Sequence, residues 1–175
     1  MQKEKQPEAP KQPEAWMRGT IEGIDPVIGH LLRAAEQIRE DAATAILDLT
    51  PAQIWLTPHG MTAAGFHAKH LAGSTERLTT YLKGQQLTPE QLAAMDSESA
   101  GAETAADLQA SMNAALDTYE KTVRSLSPRD FGSAREIGRK RYPATAIGVA
   151  IHIVEHAQRH IGGMIAAAKL ARTLA

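Results

Sequence analysis

Apolar residues return at three- and four-residue intervals along four long stretches of this chain, the spacing of one buried face on an α-helix. The first stretch carries Ile24, Val27, Ile28, Leu31, Ala35, Ile38, Ala42 and Ile46, with Arg33, Glu36, Arg39 and Glu40 facing outward. It predicts a helix from Asp25-Pro26 to about Leu47. The second runs from near Thr62 to just before Gly84, with Leu71, Leu78 and Leu82 as its aliphatic stripe. Phe66, His70, Ser74, Arg77 and Tyr81 form a neighbouring stripe. The third starts near Thr104 and repeats Leu108, Met112, Leu116, Tyr119 and Val123. The fourth is predicted from Pro143 to about Leu170, with Ile147, Ile151, Val154, Ile161 and Ile165 as its core stripe.

The helix starts are marked by local chemistry. Asp25 precedes Pro26, an N-cap followed by proline in the first turn. Thr50-Pro51-Ala52-Gln53 and Thr88-Pro89-Glu90-Gln91 have the capping-box spacing, as does Thr104 with Asp107. Leu126-Ser127-Pro128-Arg129-Asp130-Phe131 resembles these and predicts a further short helix start. No segment shows convincing strand alternation, so the fold class expected is all-α, a four-helix bundle without a sheet. More than half the residues should be helical. Residues 1–15, rich in Gln, Lys, Glu and Pro, have almost nothing to bury and read as disordered. The tail is bounded at 1–19 and one domain at 20–175. Residues 94–103 read as an acidic loop, and Gly132–Tyr142 as a basic one holding Arg135, Arg139, Lys140 and Arg141.

Composition narrows the function. Of the 175 residues, 43% are hydrophobic, enough for a single core, and the net charge is −1. That balance, with no basic stripe, argues against nucleic acid as a partner. Aromatics at 4% leave few platforms for base stacking. The absence of cysteine removes disulfides, thiolate metal sites and cysteine nucleophiles. With neither a signal-like start nor a span-length apolar run, a soluble cytoplasmic domain is expected, with no membrane partner.

The polar face of the fourth helix carries the most unusual chemistry. His152, His156 and His160 recur every fourth residue and fall within roughly 80° of one another at 100° per residue. Imidazole is the commonest protein ligand of transition metals. A single histidine usually finds an ordinary hydrogen-bond partner, but three in register favour an ion, given further ligands from another helix. His67 and His70 on the second helix are that source. Gly163 shares the histidine face and suggests close packing or room for a ligand. A di-iron carboxylate site fits poorly, since no Glu stands three residues before a histidine of this helix. His-Glu-x-x-His is absent, and no Ser-His-Asp arrangement is evident.

Two motifs are similar to a known family. Gly65-Phe66-His67-Ala68-Lys69-His70-Leu71-Ala72-Gly73-Ser74, continued by Arg77-Leu78 and Thr80-Tyr81, resembles the second helix of the DinB-like (YfiT-like) superfamily. Ile151-His152-Ile153-Val154-Glu155-His156-Ala157-Gln158-Arg159-His160-Ile161-Gly162 resembles its last helix, in the right order and separation. The resemblance implies an up-down-down-up four-helix bundle and a divalent ion held by three histidines. By motif position these are His70, His156 and His160. His67 and His152 stand in reserve, as substitute ligands or supports. A Gln commonly follows the glycine of the family motif, where this chain has Gly163 and Met164. Zinc and nickel are the leading ions. Characterised relatives include thiol-dependent S-transferases and isomerases, so the resemblance extends to a small-molecule substrate and a low-molecular-weight thiol. It also implies a homodimer. On this reading Arg77 and Tyr81 line a substrate pocket, and Arg139, Lys140 and Arg141 hold a carboxylate. The chemistry expected is that of a metal-dependent transferase or hydrolase, the ion acting as a Lewis acid. The rival is a non-catalytic metal-binding or stress-response bundle whose ion is structural or vestigial.

Overall fold

The structure, a computed structural model, describes residues 12–174. Four long helices pack around one core: α1 (Pro26–Ile46), α3 (Ala64–Leu82), α5 (Ala105–Arg124) and α6 (Ala146–Thr173). Two short helices, α2 (Pro51–Ile54) and α4 (Pro89–Ala94), lie in the connections. Helix of all kinds covers 66% of the described residues. The principal neighbours of both α1 and α3 are α5 and α6, so the four close a ring around the core.

The caps form where local sequence places them. Asp25 accepts from the amides of Val27 and Ile28. Thr50 with Gln53, Thr88 with Gln91 and Thr104 with Asp107 all make reciprocal capping boxes. Helix α3 stops at Gly84, which has φ 78°. The Gly84 amide donates to the Tyr81 carbonyl and the Gln85 amide to that of Thr80, at 2.8 and 3.1 Å. This is the paired closure that a left-handed glycine permits.

Three expectations are corrected. A two-stranded antiparallel hairpin exists, β1 (Ala134–Ile137) pairing with β2 (Tyr142–Thr145). Proline enters sheets at edges, and in a two-stranded ribbon both strands are edges, so Pro143 sits opposite Glu136 inside β2. Helix α6 therefore begins three residues late, at Ala146, with Thr145 as N-cap accepting from the Gly148 amide. Ser127–Asp130 is a turn without a following helix: the Ser127 amide and hydroxyl both donate to the Asp130 carboxylate. The chain then turns back, and the carbonyls of Ser133 and Phe131 accept from the amides of Ala146 and Ile147. Those are donors that the first turn of a helix otherwise leaves open.

The third correction concerns how far the core face of α6 extends. Val154 and Ile161 of the expected stripe are buried and Ile147 and Ile165 pack against the core, but Ile151 is 40% exposed, and Ala146, Val149, Ala150, Ile153, Ala157, Met164 and Ala168 are buried as well. The buried stripe is alanine-rich and borders the histidine face; the isoleucine stripe sits partly at its far edge. Small side chains let α6 approach its neighbours closely, which outweighs the greater apolar area of isoleucine. The core stripes expected for α1, α3 and α5 are largely as the spacing places them. Val27 is exposed and Leu78 only half-buried.

Residues 12–19 fall within the expected tail. They contain a 3₁₀ turn, Ala15–Met17, whose Ala15 is fully buried. The Ala15 amide donates to Gln37, and Arg18 bridges Glu36 and Glu40 on α1. The rest of that assignment, residues 1–11, lies outside the described residues.

Candidate metal centre and adjoining cavity

Helices α3 and α6 bring their imidazoles face to face. Ligand nitrogens of His70, His156 and His160 all lie within 4.8 Å of one another. The Nε2 atoms of His70 and His156 are 3.1 Å apart. Two nitrogens on one tetrahedral ion at about 2.1 Å would stand roughly 3.4 Å apart, so the pair needs almost no movement to share an ion. The three side chains are half-buried, with access from one side. Three imidazole nitrogens could hold a divalent metal ion.

His70 is held by a residue that sequence reasoning missed. Glu98 accepts from His70 Nδ1–H at 2.6 Å and from the Arg77 guanidinium at 2.6 Å. A carboxylate can only accept, so the His70 proton sits on Nδ1 and Nε2 is left as a free lone pair towards His156. Glu98 is 6% exposed although it lies in a stretch read as an acidic loop. Nothing in its local sequence marks it. Lys69 and Trp55 hold the loop in place: the Lys69 ammonium donates to the Ala100 carbonyl and pairs with Glu103, and the Trp55 indole donates to the Glu103 carbonyl. Gly73 clears the approach, since a Cβ there would overlap the Glu98 carboxylate and the Arg77 guanidinium.

The neighbouring imidazoles have separate places. His67 Nδ1 lies 3.1 Å from His160 Nδ1, a hydrogen bond in which one ring carries the proton. It therefore backs His160 rather than facing His156. Gly163 makes this possible: a Cβ there would come within 2.5 Å of the His67 ring. His152 sits one turn before His156, half-exposed at the cavity. The Phe66 ring stacks on His70, with centroids 5.4 Å apart.

Crowding sets the protonation state. Burial, followed by the charges His70 and His156 would carry, pushes His160 down to about 4. Burial also holds His156 and His67 below the ordinary histidine value. These rings are neutral at pH 7 and present lone pairs, as a cation requires.

A cavity of about 380 Å³ opens beside His70 and His156. Arg77 and Tyr81 line it, as does Arg139 from the hairpin turn. Arg77 is spent on Glu98. Arg141, also expected at the pocket, has φ 50° and turns outward to pair with Glu136 at 2.9 Å. Two further contacts set the hairpin against α3: Arg135 Nε donates to the Leu82 carbonyl, and the Gln86 amide group to that of Glu136. Among the described residues no helix is long and apolar enough to cross a membrane.

No curated protein matches the chain. The family model of the DinB superfamily matches residues 4–164, which takes in α3, the part of α6 that carries the histidines and the loop that carries Glu98.

Proposed function

Because this chain belongs to the DinB superfamily, we propose that it is a divalent-metal-dependent enzyme acting on a small molecule, most simply a thiol transferase. The observation that carries the reading is the convergence of His70, His156 and His160 at the edge of an open cavity. A structural ion is normally closed off by four protein ligands, whereas three leave a position for substrate. When bound, zinc or nickel supplies a Lewis acid that lowers the pKa of a water or thiol.

The chain's own residues do the rest. Glu98 fixes the tautomer and angle of His70. His67 braces His160 through its Nδ1 contact. Phe66 shields one face of His70 from water. Arg77, paired to Glu98, holds that carboxylate aimed at His70. Arg139 offers a charge to an anionic substrate. No cysteine or activated serine supplies a nucleophile, which favours one delivered by the co-substrate. We further assign the protein to the cytoplasm and, by family resemblance, to a homodimer.

The test begins with metal analysis of untagged protein by mass spectrometry. Protein loaded with zinc, nickel or manganese is then assayed for conjugation of bacillithiol, mycothiol and glutathione to a panel of electrophiles. Turnover that disappears in His156→Ala supports the proposal. Full occupancy without turnover, together with a large drop in melting temperature on chelation, would replace it with the structural-ion reading.

A further inference from the structure

Helix α4 is an odd piece of structure. It has a complete capping box, yet none of its residues is buried. It is moored by polar contacts instead: the Gln91 amide group donates to Glu76 and to Thr80 on α3. Its apolar side chains are not used by the core. Leu92, with Leu87 just before the helix and Met95 just after it, faces the cavity opposite Leu78 of α3. A short helix that keeps Leu and Met out of the core loses the burial that normally justifies them. Held in place by hydrogen bonds, it presents an apolar wall to whatever enters.

The charge at the same cavity is of one sign. Arg77 is neutralised by Glu98, and Arg141 by Glu136. Arg139 reaches the cavity from the hairpin turn and pairs with no carboxylate among the described residues. One free guanidinium matches one carboxylate, which it can grip through two parallel bonds. A phosphate dianion would call for a second free cation, and the cavity lining has none.

We propose that the cavity binds an amphipathic carboxylate, its chain against Leu78, Leu87, Leu92 and Met95 and its carboxylate on Arg139. This names the substrate class of the site above and rests on that reading for the cavity's role. The volume of about 380 Å³ leaves room for a small amphipathic molecule.

The experiment is calorimetric titration of the full-length, chelator-treated protein with straight-chain carboxylates from butyrate to decanoate. Octylamine and octanol serve as controls. Affinity should rise about fourfold per methylene until the wall is covered. Octanoate should bind at least tenfold more tightly than octylamine. Arg139→Gln should weaken octanoate about tenfold or more and leave octanol unchanged. Leu92→Asp should abolish the chain-length dependence. Circular dichroism checks its folding, and Met95→Asp, at a 43% exposed position, repeats the test should Leu92→Asp unfold. Equal binding of butyrate and decanoate, of amine and acid, or an unaltered Arg139→Gln each overturns the proposal. Since the metal is absent throughout, failure here leaves the metal-dependent reading to its own assay. A chain-length series that succeeds in a protein never found with metal would sink that reading alone.

Discussion

The α3–α6 side of the molecule and the α1–α5 side solve opposite problems. Between α1 and α5, Arg39 donates to Asp117, Glu120 and the Asn113 carbonyl, so its charge is matched and solvent is near. Between α3 and α6, four imidazoles crowd together with one carboxylate among them, and that carboxylate is shared with Arg77. The first arrangement is one that any stable bundle tolerates. In the second, burial disfavours protons on His67, His156 and His160, and their lone pairs are left for a cation. A region that holds lone pairs together without protons is built to bind something; a region of matched charges needs nothing more.

The largest effect that would break this contrast is loss of the ion. Double replacement of His156 and His160 by Ala should take metal content from near stoichiometric to background, read by mass spectrometry, with the helical circular dichroism signal retained. Unchanged metal content would remove the site assignment. Glu98→Gln comes next. It leaves Arg77 buried without its counter-charge and His70 without a carboxylate acceptor. Metal affinity should fall about 10–100-fold in competition with a chelator, and stability by about 3 kcal/mol in urea melts. The matching change on the other side, Arg39→Ala, removes solvent-accessible ion pairs with Asp117 and Glu120 and should cost only about 1 kcal/mol.

Acid separates the two sides by pH. The folded values of His160, His156 and His67 lie below the unfolded value of 6.5. Between 6.5 and about 4 the unfolded chain takes up protons that the native imidazoles refuse, so stability is full above 6.5 and falls as pH drops through that window. On α1, burial raises the Glu36 carboxyl, but bonds from Arg33 and Arg18 outweigh this and hold it below its ordinary 4.5. Its contribution is present above 4.5 and is lost only below it. Melting temperatures in chelator should therefore decline from pH 6.5 downward in the native protein. In the double histidine variant, which keeps only His67 of the three, the decline between pH 6.5 and 4.5 should be clearly smaller.

The smallest effect divides two adjacent glycines. Nothing lies near a Cβ placed on Gly162, so Gly162→Ala should stabilise α6 by up to about 1 kcal/mol. A Cβ on Gly163 meets the His67 ring, so Gly163→Ala should displace His67 and weaken metal binding while gaining little stability. Equal behaviour of the two would show that the His67–His160 contact has no part in the site.

Much of this molecule is determined by residues close together in the chain. Asp25, Thr50, Thr88 and Thr104 cap their helices because the amides they serve lie two or three residues away. The His156–His160 pairing follows from helical pitch alone, and so do most of the core stripes. What lay beyond the sequence depended on distant partners. Glu98 is an ordinary loop acid until α3 supplies His70 and Arg77 across the fold. His67 and His70 lie about 60° apart on a helical wheel, and only the position of α6 sends one to back His160 and the other to face His156. The strand around Pro143 is too short to show alternation and exists because β1 folds back on it. The core face of α6 widens from Val154 and Ile161 onto its alanines because its neighbours come close enough to need small residues there. Local geometry is set by bonds a few residues apart, whereas the choice of face, partner and burial is made only when separate helices meet.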